Sequence, residues 1–183
     1  VFADNSKEII LQGNKINKWG KNVYVKVPVT NSKGKFMGAA INSLNKNKIK
    51  LNITAVYTAK QTKQILSKID KKTKVIISIF GGRMADAGKD PVPEFKKSIK
   101  ISKNFKNVEI LWASTREPYN YIQAKQLGCH IITVPPSIIE KIEKFGKSTR
   151  DLTIDTVKGF LLDSERSNFK LWLVAGDGFE PPT

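Results

Sequence analysis

Apolar residues fall along this chain in two alternating rhythms. Short runs rich in Val and Ile at residues 22–30, 49–57, 74–80, 108–113 and 130–134 have the length and β-branched content of strands. Between them the apolar positions take helical spacing. Residues 5–18 predict an amphipathic helix with Ile9, Ile10, Ile16 and Trp19 on its apolar side, and 34–44 a weaker helix. Further helices follow at 59–69, 93–102, 118–127, 136–144 and 153–167. Residues 81–91, Gly81-Gly82-Arg83 through Pro91, are dense in chain breakers and predict a loop. Residues 1–3 read as the stub of one more strand, giving about six in all.

Strands alternating with helices, and apolar on both faces, predict an α/β fold with a parallel sheet covered by helices. Two architectures satisfy this, an open doubly wound sheet and a (β/α)8 barrel. The short spacing of the units favours the barrel, as does the lack of a glycine-rich phosphate turn after an early strand. Gly81-Gly82 alone is no dinucleotide fingerprint. A closed barrel needs eight strands, so two are wanting.

One residue is out of place in this pattern. Lys26 lies within Val25-Lys26-Val27-Pro28-Val29, which reads as a buried strand, where an unpaired ammonium is costly. Two readings stand. A buried amine is a nucleophile for a carbonyl, whereas a lysine whose stem follows the strand can carry its head out to water. With a period of two, Asn22, Tyr24 and Lys26 share a face. The same split sets Asn52, Thr54 and Val56 against Ile53 and Ala55, then Ile76, Ser78 and Phe80 against Ile77 and Ile79. It also sets Ile110, Trp112 and Ser114 against Leu111 and Ala113. Polar groups thus recur near strand C-termini, where a barrel keeps its chemistry, although any one hydroxyl there can equally be a satisfied core group. Past the strand ends lie Arg83 and Arg116. Arg116 precedes a helix, a setting that suits an oxyanion; pairing with Asp86 or Glu117 is the competing reading.

Composition narrows the picture. The 183 residues suit one domain, and no apolar run reaches the length of a membrane-spanning helix. A single cysteine, Cys129, excludes an internal disulfide and fits a cytoplasmic location. A lone histidine, His130, argues against a His-based metal site or a Ser-His-Asp triad. The net charge of +16 raises nucleic-acid binding, but the lysines are scattered along the sequence without an aromatic-interleaved tract, so no nucleic-acid partner is expected. No signal or transit pattern surrounds Val1, which reads as a processed start or the start of a fragment.

Five segments together resemble the transaldolase and fructose-6-phosphate aldolase family. They are Val25-Lys26-Val27-Pro28-Val29-Thr30, Leu51-Asn52-Ile53-Thr54, Ser78-Ile79-Phe80-Gly81-Gly82-Arg83, Ala113-Ser114-Thr115-Arg116 with Pro118, and Leu127 through Pro135. The resemblance spans residues 1–171; the tail 172–183 has no counterpart and differs in composition from the Lys-rich body. It implies a (β/α)8 barrel lacking its first two β/α units and their proton-transfer residues. It also implies that Lys26 forms a Schiff base with a ketose and that Asn52 and Thr54 sit at the imine centre, Thr54 helping to place a water. Ser78, Phe80, Arg83, Ser114 and Arg116 would line the sugar-phosphate site. Phe80, where the simple aldolases carry an acid/base tyrosine, favours the transferase. The expected activity is therefore transfer of a dihydroxyacetone unit between sugar phosphates in the pentose phosphate pathway, impaired in a chain without the missing strands. An aldolase-type lyase or a non-catalytic basic binding module is the alternative. No cofactor or metal is implied, because the imine is itself the electron sink. The partners expected are sugar phosphates, with no membrane association and homo-oligomerisation left open.

Overall fold

The computed structural model of the chain describes residues 1–167 and divides into two units, Val1–Glu143 and Lys144–Thr183. The first unit holds a five-stranded parallel sheet in the order β1-β2-β3-β4-β5: β1 Val25–Pro28, β2 Leu51–Val56, β3 Val75–Phe80, β4 Val108–Ala113 and β5 Ile131–Ile132. Helices alternate with them: α1 Ser6–Asn17, α2 Gly38–Lys46, α3 Ala59–Leu66, α4 Gly81–Asp86, α5 Val92–Ser102, α6 Tyr119–Leu127 and α7 Pro136–Ile142. The α/β class is as expected. The sheet does not close into a barrel among the described residues; β1 and β5 are its two edges. The expected sixth strand is absent, since residues 1–3 are irregular. The stub does reach the sheet: the Val1 amine donates to the Lys26 carbonyl at 3.0 Å, on the side of β1 that β2 does not pair.

Local chemistry explains the element boundaries. Asn5 caps α1 by accepting from the Glu8 N–H at 3.0 Å, and Ile9 packs into the core, but Trp19, expected on the apolar side, lies beyond the helix end and is 73% exposed. α2 begins later than the pattern predicts. Asn31 first organises a turn, its side-chain oxygen accepting from the Lys33 and Lys35 N–H groups, and Thr30 bridges to Phe36. α3 opens on a capping box between Thr58 and Gln61. β5 is shorter than the predicted 130–134. In the second unit, α8 spans Thr149–Ser167 and starts earlier than expected, because Ser148 accepts from the Asp151 N–H at 3.1 Å and Lys147 pairs with the Asp155 carboxylate. The expectation for the tail 172–183 lies outside the described residues.

The core lies between the sheet and its helices. Val25, Val27, Leu51, Ile53, Val75, Ile77, Ile79 and Ile110 form its sheet side, with Ile9, Ile41, Leu44, Ile65 and Phe95 from the helices. Thr62 and Ser98 satisfy each other by a hydroxyl–hydroxyl bond of 3.0 Å where α3 meets α5. The predicted loop 81–91 contains α4. Its two glycines serve packing: a Cβ on Gly81 would meet the Trp112 ring at 2.8 Å, and one on Gly82 would stand 1.6 Å from the Ser114 carbonyl oxygen. Glycine here lets α4 press against the end of β4.

Candidate active site

The helix-facing residues of each strand fix the phase of the opposite face. β1 pairs with β2 so that Lys26 stands beside Asn52, and β3 pairs with β4 so that Ser78 stands beside Leu111 and Phe80 beside Ala113. These side chains share one face at the C-terminal half of the sheet. With Arg83 of α4, and with Ser114, Arg116 and Thr133 from the segments after β4 and β5, they line a concavity of about 240 Å³. Seven of the eight residues singled out from sequence meet there: Lys26, Asn52, Ser78, Phe80, Arg83, Ser114 and Arg116. Thr54, the eighth, is not among its lining residues. Its hydroxyl is buried without a hydrogen-bond partner, and its carbonyl accepts from the Val29 N–H at 2.9 Å.

Three expectations are corrected here. The strand carrying Lys26 is not buried on both faces: Val25 and Val27 are buried, but Lys26 is exposed. As a member of an edge strand it has no strand on its outer side to cover it among the described residues, so the argument from a buried ammonium does not apply. The phase of β4 is the reverse of that predicted. Trp112 points to the helices and stacks on Phe95 with ring centroids 4.3 Å apart, while Leu111 and Ala113 line the concavity. Ser114 still joins them because its backbone adopts φ 64°, which breaks the period of two. Val56 likewise changes sides. Ala55, at φ 59°, marks a register shift after Ile53, and Val56 is fully buried in the core beside Ile79.

The polar groups are organised by direct bonds. Ser78 Oγ donates to Asn52 Oδ1 at 2.7 Å. The Arg83 guanidinium lies 5.3 Å over the Phe80 ring, which in turn contacts Tyr57 with centroids 5.9 Å apart. Arg116 is ion-paired. Its Nε donates to Asp86 Oδ2 at 2.9 Å, and an Nη lies 2.7 Å from the same oxygen, at a site where both side chains are about half exposed. The N–H groups entering α6 are also engaged, since Asn120 Oδ1 accepts from Arg116 N at 3.0 Å and from Glu117 N at 3.3 Å. Of the two readings of Arg116, the geometry therefore shows the pairing with Asp86. Arg83, without a carboxylate partner among the described residues, is the more available of the two arginines. Thr133 was missed as a lining residue although it lies within a segment carrying the family resemblance. It follows β5, a strand too short for alternation to reveal its side, and Thr115 Oγ1 donating to its carbonyl at 2.7 Å holds it beside β4. No group of three or more His, Cys, Asp and Glu side chains suited to a metal ion occurs among the described residues.

Residues 1–174 match the family Transaldolase/Fructose-6-phosphate aldolase. The chain belongs to this family. A probable transaldolase from Thermoanaerobacter sp. (strain X514) is 30% identical over 172 residues, covering 93% of this chain and 74% of the relative. One from Herpetosiphon aurantiacus is 31% identical over 164 residues, covering 89% and 68%, and one from Nitrosopumilus maritimus is 31% identical over 168 residues, covering 91% and 70%. Within the transaldolase/fructose-6-phosphate aldolase family this chain thus has a lysine, an amide, three hydroxyls and two guanidinium groups around one concavity at the strand C-termini.

Proposed function

We propose that this chain is a transaldolase-type transferase in which Lys26 forms a Schiff base with a ketose phosphate. The observation that supports this best is that Lys26 opens into the same concavity as Asn52, Ser78, Arg83 and Arg116. In its neutral form the Lys26 amine attacks the ketone carbon; the carbonyl oxygen leaves as water with one amine proton and one proton taken from solvent, and a protonated imine remains. Loss of the proton from the hydroxyl on the far carbon of the breaking bond turns that carbon into an aldehyde and drives the C–C bond electrons into the imine. An aldose leaves, and a three-carbon enamine stays on Lys26. Addition of that enamine to an acceptor aldehyde, followed by hydrolysis, completes transfer. Asn52 hydrogen-bonds the donor unit, and Arg83 binds the distal phosphate by charge-assisted bonds. Arg116 joins it at the cost of sharing its pairing with Asp86.

No carboxylate or imidazole lines the concavity among the described residues. Proton transfer at the cleavage step therefore falls to water or to groups outside them, and trapping of the imine is expected to outlast turnover as a measurable property. Phe80 offers no ionisable group where an aldolase reading would want one, which favours transfer to an acceptor over release of a free triose. Incubation with fructose 6-phosphate and borohydride should add a reduced adduct to Lys26, detected by peptide mass, and Lys26→Ala should abolish it. Wild-type protein that stays unmodified at saturating sugar would refute the reading.

A further inference from the structure

The opposite end of the sheet carries a second candidate site. In a β/α chain every segment from a helix back to a strand returns to the strand N-termini, so residues far apart in sequence gather there. Backbone bonds show the alignment: Val25 N–H to Lys50 O at 2.8 Å, Leu51 N–H to Lys74 O at 3.3 Å, and Val75 N–H to Asn107 O at 2.9 Å. The lysines that look scattered in sequence gather in groups in the returns before β2, β3 and β4. They line two concavities. One, of about 600 Å³, has Lys74, Lys100, Lys103, Lys106 and His130 against a single carboxylate, Glu109. The other, of about 570 Å³, has Lys48, Lys50, Lys72 and Lys74. Lys74 lines both, so the two adjoin.

Little neutralises this surface locally. Asp70 faces it, but its carboxylate is taken up by Lys48 at 3.0 Å and by the N–H groups of Lys72 and Thr73. Each concavity also has a half-buried aromatic ring with an ammonium at its face: Lys50 over Tyr24 at 5.0 Å, and Lys71 over Phe105 at 5.2 Å. Adjacent lysine clusters, each with a half-buried ring in its lining, suit a flexible chain of phosphates bearing aromatic bases. A planar lipid surface would meet neither the concave shape nor the half-buried rings well.

We propose that the strand N-terminal face is a binding site for single-stranded nucleic acid, held by phosphate contacts to Lys74, Lys100, Lys103 and Lys106 and by base contacts at Tyr24 and Phe105. The site lies at the other end of the sheet from Lys26 and does not depend on the reading of that residue. The test uses the full chain and a fluorescein-labelled oligouridylate of about 20 nucleotides, read by anisotropy. With about four phosphate contacts, affinity should fall roughly fifty-fold between 50 and 200 mM salt. Lys74→Glu/Lys103→Glu/Lys106→Glu should weaken binding at least about tenfold in low salt. Lys33→Glu/Lys35→Glu/Lys60→Glu, with the same change in net charge at the other end of the strands, should weaken it less than about twofold. Replacing the first three by Gln gives a milder set should the Glu variant fold poorly, and its loss should again exceed that of Gln at the control positions. Equal losses in both sets would show an effect of net charge alone and overturn the proposal. So would absence of binding in low salt, or tighter binding to phosphatidylserine vesicles than to the oligonucleotide.

Discussion

Ser78 Oγ donates to the side-chain oxygen of Asn52 at 2.7 Å, joining β3 to β2 on the face that carries Lys26. Because this bond occupies Oδ1, the Asn52 amide turns its N–H groups to the concavity, as a donor for a hydroxyl or carbonyl of a bound sugar. Ser78→Ala leaves a half-buried acceptor unfilled and lets the amide rotate. We expect a stability loss of about 1 kcal/mol from urea unfolding. We also expect a three- to tenfold slower borohydride-trapped adduct at Lys26, about the rate equivalent of one such bond. An adduct rate within twofold of wild type, at the same stability loss, would leave the bond a purely structural role.

Gly82 tests how tightly α4 is fixed to the end of β4. A methyl group at this position would stand 1.6 Å from the Ser114 carbonyl oxygen and 2.8 Å from the Arg116 side chain. The obstacle is backbone, which cannot swing aside, so Gly82→Ala must shift α4 or the Ser114 turn. A loss of more than about 3 kcal/mol is expected, at the upper end of overpacking. Gly88→Ala is a useful contrast. Nothing lies near its Cβ position, so its cost would come only from φ +70°. A midpoint for Gly82→Ala equal to that of Gly88→Ala would refute the packing account.

How far the sequence shows this arrangement can be argued from the same residues. Lys26, Asn52 and Ser78 were legible because β1, β2 and β3 alternate cleanly up to these positions, so side-chain phase could be counted. Trp112 was placed on the wrong face because β4 is apolar on both sides; only its stack on Phe95 of α5 decides which side meets the helices. Ser114 and Ala55 break the count through positive φ at non-glycine residues, for which the sequence carries no signal. The pairing of Arg116 with Asp86 joins residues 30 apart and needed the fold. The lysine face was hidden for a related reason: its members recur with the spacing of a whole β/α unit, longer than any window used to read charge runs.

Cys129 sits half-buried after α6, its N–H donating to the Ala124 carbonyl at 2.9 Å. Burial pushes its thiol up to about 12. The thiolate is the reactive species, so at pH 8 the folded protein should react with a disulfide reagent at least about a hundredfold more slowly than protein unfolded in guanidinium. Fast, stoichiometric labelling of the native chain would show that the αβ turn at Gly128 opens readily.

Asp70 sets the acid response of the turn before β3. Its carboxylate is held well below the usual range, above all by the Thr73 N–H at 2.7 Å, and also by the Lys72 N–H, by Lys48 Nζ at 3.0 Å and by the Thr73 hydroxyl; partial desolvation opposes them. A depressed pKa means that the folded state binds a proton less readily than the unfolded chain. Its stabilisation is therefore complete above the unfolded value of about 3.9 and drains away as pH falls from there toward the folded value. Asp70→Asn keeps the shape but gives up the charge and one acceptor. Its urea midpoint should lie below wild type by the same margin at pH 7 and pH 5, by less at pH 3, and by least at pH 2. A margin unchanged down to pH 2 would mean that Asp70 supports the turn through neutral hydrogen bonding alone, and that the Lys48 and N–H contacts do not favour its ionised form.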